Sequence, residues 1–170
     1  YYNKVTDGVP EEDGDSSSPA AEVGNILENA LIEHASKIIE LPVIRNQYRV
    51  HANGIHAANC DALVTSAPEV VEIKTTGLMA PIPEEEREQW GEAGSGDVPL
   101  RVVAQVQHQM ACCGPEYRVG HVIAWVGHRG IVHYRIERDD PLIELLIQRG
   151  EAFWRDHVIP RKPPTEAPPK

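Results

Sequence analysis

The chain has 170 residues, of which 41% are hydrophobic and 25% charged, and its formal net charge is −10. That length suits one domain with its own hydrophobic core, and the negative charge excludes a protein that coats nucleic acid by electrostatic attraction alone. Because no apolar run approaches the roughly 20 residues of a membrane-spanning helix, we expect no membrane segment.

The chain is predicted to start with a flexible segment followed by a helix. Residues 1–18 are polar and rich in Gly and Ser, which favours flexibility. Ser18 followed by Pro19 is typical of a helix start, so a helix is predicted over residues 20–40. Its apolar stripe at helical spacing consists of Val23, Leu27, Leu31, His34 and Ile38.

Three strands are predicted next. The segments 43–51 and 55–64 have strand composition and are separated by the turn residues Asn53-Gly54, which indicates a hairpin. A turn then leads into a third strand over residues 69–76. This part of the chain therefore forms one side of a sheet.

The second half is predicted to contain a long connection, two helices and two strands. The connection, residues 77–97, is rich in Pro, Gly and Glu and has a short helical piece near residues 84–90. The next helix has Leu100, Val103, Val106 and Met110 on one side. The elements after the connection are a helix over about 98–112, strands over 117–127 and 131–138, and a helix over about 140–158.

The order α-β-β-β-α-β-β-α indicates a mixed α/β or α+β domain, in which a sheet of five strands is flanked by helices. The domain is placed at residues 19–159, and five prolines in residues 160–170 favour a disordered tail. The odd cysteine count, made up of Cys60, Cys112 and Cys113, suits a reducing cytosol without disulfides. We therefore expect a cytoplasmic protein.

The segment VVEIKTTG, residues 70–77, places a glutamate and a lysine two positions apart in a predicted strand. Positions two apart face the same side, so Glu72 and Lys74 share one face while Val71 and Ile73 point to the core. Taken alone, this alternation is typical of a half-exposed strand with an ordinary surface ion pair.

Asp61 changes that interpretation. It lies eleven residues before Glu72 on the adjoining strand, and a hairpin of this length can bring the two carboxylates together. Two carboxylates beside a lysine suit a hard divalent cation such as Mg²⁺, with Mn²⁺ as the alternative. This combination indicates phosphodiester cleavage, in which the metal neutralises phosphate charge and lowers the pKa of a bound water while Lys74 orients or activates the attacking water.

Two polar residues on helix flanks converge on the same sheet. Glu28 lies at the rim of the apolar stripe of the first helix. Gln105 lies similarly on the second helix, in line with Arg101 and His108. Each alone is typical of an ordinary helix-flank residue, and their convergence makes them site candidates.

Four segments in this order resemble the lambda-exonuclease-like (YqaJ-type) viral recombinases of the PD-(D/E)xK nuclease superfamily: GNILENA (24–30), CDALV (60–64), VEIKTTG (71–77) and AQVQHQM (104–110). The ending RIERDDPLIELLIQRGEAFWRDHV resembles the closing strand and helix of that family. The resemblance covers about residues 20–158. It implies a restriction-endonuclease-like core and a Mg²⁺-dependent exonuclease that digests double-stranded DNA from 5′ ends during recombination.

The resemblance also implies residue roles. Asp61 and Glu72 would be the metal ligands, assisted by the backbone carbonyl of Ile73, and Lys74 would be the catalytic lysine. The implied partners are double-stranded DNA ends, a single-strand annealing protein and further copies of the chain in a trimer. A phage or prophage protein of this kind would act in the cytoplasm of the bacterial host.

The two helical candidates take family positions as well. Glu28 would occupy the position of the family's helical glutamate near the metal. Gln105 would occupy that of the family's motif glutamine, which positions catalytic groups. There are departures, because Cys60 stands where the family usually has Pro and Ala62 where it usually has Gly. In the family, an opening segment carries an arginine and a serine that hold the 5′ phosphate. We expect the corresponding segment before Tyr1.

Other interpretations remain open at this point. One is a module that binds DNA ends or a partner without catalysis, and another is an endonuclease of the same superfamily with a role in restriction or repair. Zinc is disfavoured because no Cys-x-x-Cys or paired Cys/His spacing supports it. Trp90 is expected to stack on a DNA base or to cover its own loop. Phosphate contacts or ordinary surface positions are expected for Arg101, Arg118, Arg129, Arg135 and Arg138.

Overall fold

A computed structural model describes residues 19–77 and 81–164. The predicted flexible start, 1–18, and residues 165–170 of the predicted tail lie outside the described residues. The helices and strands, in chain order, are α1 (Pro19–Ile38), β1 (Val43–Val50), β2 (Ala57–Val64), β3 (Glu69–Thr76), α2 (Glu84–Arg87), α3 (Leu100–Cys113), β4 (Val119–Val126), β5 (Ile131–Glu137) and α4 (Asp140–Phe153). A 3-10 turn, Gly127–Arg129, joins β4 to β5, and a π-helical turn, Trp154–Val158, extends α4.

The five strands form one sheet in the order β1-β2-β3-β4-β5. The pairs β1–β2, β2–β3 and β4–β5 are antiparallel, whereas β3 and β4 are parallel because a long crossover containing α3 joins them. This mixed sheet flanked by helices confirms the predicted fold class. In the part of the chain that the structure describes, no helix is long and apolar enough to cross a membrane.

Helices cover both faces of the sheet. α3 packs on one face and α4 packs against α3, while α1 packs on the other face, mainly over β3. Alternate residues of β3 therefore belong to different layers, with residues 70 and 72 towards α3 and residues 71 and 73 towards α1. The central buried residues are Val70, Val102, Val106, Met110 and Val122 on the α3 side, and Leu31, Ile32, Ala35, Val71 and Ile123 on the α1 side.

Two residues of the predicted apolar stripes are exposed. His34 faces solvent because the buried side of α1 is centred on Leu31 and Ala35, about 100° around the helix from it. Leu100 is 72% exposed, since the buried side of α3 passes through Val102, from which it differs by about 200°. Both helices exist where predicted, but their buried faces are rotated about the helix axis relative to the predicted apolar stripes.

The long connection before α3 packs against the edge strand β5. Trp90 is 3% exposed, and its ring centroid lies 5.4 Å from that of Tyr134. The backbone N–H of Arg135 donates to the carbonyl of Ser95 at 3.0 Å, so the loop also pairs with the strand. Trp90 therefore covers its own loop and does not offer its ring to DNA.

One position of the β1–β2 ladder is distorted. The residues on either side pair regularly, but Asn46 has φ 51 and is not paired with Asp61, the residue opposite. A positive φ is uncommon outside glycine and is tolerated best by Asn and Asp. The distortion thus coincides with the strand position of a candidate metal ligand.

The last helix contains a glycine that its neighbour requires. A Cβ at Gly150 would lie 2.1 Å from Cε1 of His56. The glycine, which ordinarily weakens a helix, here permits α4 to approach the start of β2. After the π-helical turn, the N–H of Arg161 donates to the carbonyl of Val158, so the described part of the predicted tail contains a turn.

Candidate active site

Glu72 and Lys74 form a buried pair on the α3 face of β3. The side chain of Glu72 is 1% exposed and that of Lys74 is 22% exposed, and Nζ of Lys74 donates to Oε1 of Glu72. A carboxylate in the interior is costly unless it is paired and hydrogen-bonded. The pair is therefore not the surface ion pair that the strand pattern alone favours.

Helix α3 supplies two more donors to Glu72. Nε2 of Gln105 donates to Oε1 at 2.7 Å, and Nε2 of Gln109 donates to Oε2 at 2.5 Å. The two glutamines are four residues apart, so they lie on one face of the helix. Both carboxylate oxygens thus accept hydrogen bonds, which offsets the cost of burying the charge and fixes its orientation.

Gln109 is a site residue that the sequence analysis missed. It is 1% exposed, and its Nε2 also donates to the carbonyl of Asn59 in β2 at 3.2 Å, so it links β2 to β3. Gln107 lies on another side of α3, where its amide binds the backbone of Glu137 and Asp139. The four-residue spacing between the two outer glutamines is the signal that could have identified Gln109.

Asp61 reaches the same site from β2. Its Oδ2 accepts the backbone N–H of Ile73 at 2.7 Å, beyond the last β2–β3 ladder pair, Ala62 with Val71. Burial and the nearby Glu72 carboxylate raise the pKa of Asp61 to about 6, against the opposing effect of the Ile73 N–H. Without an additional positive charge, the two ionised carboxylates are therefore unfavourable neighbours.

Glu28 approaches from α1, on the other face of the sheet. Burial raises the pKa of its carboxyl and the charge of Asp61 adds to the increase, whereas Lys74 and Arg45 oppose it. These effects place Glu28 within electrostatic range of the site. The structure thus brings together the side chains of Asp61, Glu72, Lys74 and Gln105 and places Glu28 within electrostatic range of Asp61 and Lys74.

The donor set fits a hard divalent cation. Asp61 and Glu72 offer carboxylate oxygens whose mutual repulsion a cation would relieve. Within residues 19–77 and 81–164, no group of three or more His, Cys, Asp or Glu side chains is arranged to hold a metal. Mg²⁺ keeps several waters and takes few protein ligands, so the two carboxylates fit it.

The arginines considered for phosphate contacts all bind protein groups. Arg129 donates to the carbonyls of Trp90 and Gly91, at 2.8 and 2.7 Å, and so anchors the long connection. Arg138 likewise donates to three backbone carbonyls around the end of α3. The remaining three form ion pairs, Arg101 with Glu86, Arg118 with Asp140 and Arg135 with Glu137. Contacts of these arginines with DNA stay a prediction.

The fold is shared with solved exonuclease structures. LHK-Exo, an alkaline exonuclease from Laribacter hongkongensis, matches in its complex with dAMP with a TM-score of 0.66 and 22% identity, over 86% of this chain and 72% of that chain. A phage-related exonuclease from Haemophilus somnus 129PT matches with a TM-score of 0.61 and 16% identity, over 87% of this chain and 75% of that chain. At these identities the likeness shows a common fold.

Sequence comparison identifies the family. The protein YqaJ of Bacillus subtilis (strain 168) is 28% identical over 151 residues, which are 85% of this chain but only 43% of that relative. The model of the YqaJ-like viral recombinase domain matches residues 2–116, a range that contains all five predicted site residues. Since this match spans more than half of the chain, the protein belongs to the YqaJ-like viral recombinase domain family.

Proposed function

We propose that the chain is a metal-dependent deoxyribonuclease that hydrolyses phosphodiester bonds. The observation that supports this proposal most strongly is the buried carboxylate of Glu72, held by an ammonium and two amides beside a second carboxylate from the neighbouring strand. A buried carboxylate that converges with a lysine and a second carboxylate is typical of a functional site.

In this proposal Asp61 and Glu72 hold Mg²⁺ or Mn²⁺, with the carbonyl of Ile73 as a further ligand and Glu28 nearby. When bound, the metal supplies positive charge to the scissile phosphate and a water of lowered pKa. Lys74 orients and activates the attacking water, because its contact with Glu72 keeps Nζ beside the metal ligands.

The two glutamines act on the ligand and not on the substrate. Gln105 and Gln109 donate to both oxygens of Glu72 and fix the orientation of its carboxylate. Gln109 also ties the site to β2, just before Asp61, through the carbonyl of Asn59. The distance between the two metal-binding strands is therefore set partly by one amide group.

Within this class we propose an exonuclease that degrades double-stranded DNA from its ends in the 5′-to-3′ direction during recombination. The support comes from the family, a viral recombinase domain, and from fold neighbours that are exonucleases. A single-strand annealing partner, a trimer of this chain and action in the cytoplasm of a bacterial host belong to the same proposal.

The first prediction concerns cleavage. Linear and closed circular duplex DNA are incubated with the protein in Mg²⁺, in Mn²⁺ and in chelator, alongside Lys74→Ala. We expect metal-dependent degradation of linear DNA only, reduced about 10²-fold or more in the variant because the group that activates water is lost. Labels at the 5′ or the 3′ terminus report the direction.

Lys37→Ala is the matched control, since Lys37 is an exposed lysine in the last turn of α1, and it should cleave like the native protein. Cutting of the circle would indicate an endonuclease. Binding of linear DNA by a folded preparation without cleavage in either metal would contradict the enzyme proposal and favour the non-catalytic module.

A further inference from the structure

Two cysteines that are far apart in the sequence are in contact beside the candidate active site. Sγ of Cys60 lies 3.8 Å from Sγ of Cys113, and both cysteines are free. Cys60 is 1% exposed in β2 and immediately precedes Asp61, whereas Cys113 is half-buried and is the last residue of α3. The contact therefore joins the strand that carries a candidate metal ligand to the helix that carries both glutamines.

We propose that Cys60 and Cys113 are a reversible oxidation site at which a disulfide forms between β2 and α3. A disulfide needs the two sulfurs to come within about 2.05 Å, so the present separation must shorten by roughly 1.7 Å. The end of a helix and one strand residue can supply a movement of this size without a change of fold.

Cys113 is the residue that meets the oxidant. Its partial exposure admits a small peroxide, whereas Cys60 is buried. The hydrogen bond with Cys60 and the guanidinium of Arg49 lower the pKa of the Cys113 thiol, against the opposing effects of burial and of Glu116. A lowered thiol pKa increases the fraction present as the reactive thiolate.

Hydrogen peroxide gives a balanced reaction. The Cys113 thiolate attacks one peroxide oxygen, so an S–O bond forms, the O–O bond breaks and the departing hydroxide takes up a proton as water. The sulfur of Cys60 then attacks the Cys113 sulfur, the S–S bond forms and the S–O bond breaks. The second hydroxide leaves with the Cys60 proton as water, so two thiols and one peroxide yield one disulfide and two waters.

The disulfide would displace the catalytic groups, and this consequence rests on the proposed nuclease function. Shortening the sulfur contact pulls the backbone next to Asp61 towards the end of α3, while Gln109 on the same helix holds both Glu72 and Asn59. A misplacement of about 1 Å can lower a rate by about 10²-fold. We expect oxidation to lower DNA cleavage at least tenfold and a dithiol to restore it.

Peptide mapping tests the bond itself. The reduced full chain is treated with a small excess of hydrogen peroxide, alkylated and digested, and the Cys60–Cys113 peptide pair, lighter by two hydrogen atoms, is sought. Cys112→Ser is the matched control and should still form it, because Sγ of Cys112 lies against Nε2 of His108, at 3.8 Å, and not against Cys60. Absence of the Cys60–Cys113 pair, or a bond through Cys112, would overturn the proposal.

Cleavage assays test the consequence separately. Cys113→Ser should cleave DNA like the native protein and lose the response to peroxide, since it cannot form the bond. If the bond forms but cleavage is unchanged, the effect on the site is overturned. If the reduced protein does not cleave DNA at all, the nuclease proposal fails, whereas the peptide map still decides whether the bond forms.

Discussion

At the scale of single residues, the proposed site depends on the orientation of the Glu72 side chain in the interior. Gln109→Leu removes the donor to Oε2 of Glu72 while nearly preserving side-chain volume. We expect the free energy of unfolding to fall by about 1–3 kcal/mol, because a buried charged oxygen loses its partner, and cleavage to fall about tenfold or more. Chemical denaturation and the DNA assay measure the two effects.

Gln148→Leu is the matched control for this prediction. Gln148 is exposed on α4 and its amide binds only Glu144 among the contacts described. Its replacement should change stability by no more than about 0.5 kcal/mol and leave cleavage intact. Equal behaviour of the two variants would show that the Gln109 bond contributes nothing to the site.

The residues that the sequence could identify are those whose position follows from strand geometry. Glu72 and Lys74 share a face because they are two apart, and Asp61 meets them because its hairpin is short. The four-residue spacing from Gln105 could have pointed to Gln109, but only the rotation of α3 shows that this face, and not that of Gln107, meets Glu72. Only the packing of α3 on the sheet decides which amides reach Glu72.

At the scale of whole elements, α4 shows tertiary contact overriding helix propensity. Replacing a helix-interior Gly by Ala ordinarily stabilises by up to about 1 kcal/mol. At Gly150 we expect the opposite, a loss of about 1–3 kcal/mol, because the new Cβ would lie 2.1 Å from Cε1 of His56, whose ring is held by His108 and the carbonyl of Ile147, so that either the ring or α4 must shift. Urea denaturation of Gly150→Ala measures the change.

A double-mutant cycle provides the control for this prediction. His56→Ala removes the imidazole ring with which the new Cβ clashes. In that background Gly150→Ala should therefore be neutral or stabilising. The same loss in both backgrounds would show that the glycine is needed for another reason. The sequence indicated only that Gly150 weakens a helix, because its partner lies more than ninety residues away in the chain.

Element boundaries were predictable from local signals, whereas the irregularity of β1 was not. Gly114 directly follows α3, where its φ of 133 suits only glycine. Asn46, in contrast, sits inside a segment with regular strand composition and yet has a positive φ. The distortion lies opposite Asp61, where the β1–β2 pairing is interrupted.

At the scale of the whole molecule, two histidine pairs lie away from the candidate metal ligands. Nδ1 of His56 is 3.1 Å from Nε2 of His108, and Nδ1 of His121 is 3.0 Å from Nε2 of His133. Burial and the neighbouring His56 and His51 lower the pKa of His108. Burial, His121 and Arg135 lower the pKa of His133. Two further groups contact the pairs, since the carboxylate of Glu69 lies against His121 and the thiol of Cys112 lies against His108.

These shifts set the sign of a pH dependence. Below the ordinary histidine pKa of about 6.5 these side chains are protonated in the unfolded chain. In the folded protein His108 and His133 are still unprotonated there, because their pKa values are lowered. The unfolded state then holds more protons, so the free energy of unfolding falls as the pH falls through 6.5. The raised pKa of Asp61 acts in the opposite direction, but it is common to any variants compared at these histidines.

The last prediction isolates the histidines. In the double variant His108→Gln, His133→Gln, the difference in unfolding free energy from the native protein should change between pH 7.5 and pH 5.5, with the native protein losing more. Thermal or urea denaturation at several pH values measures it. His34→Gln, at an exposed position of α1, should follow the native pH profile. If the double variant also follows that profile, the two half-buried histidines titrate alike in the folded and unfolded states.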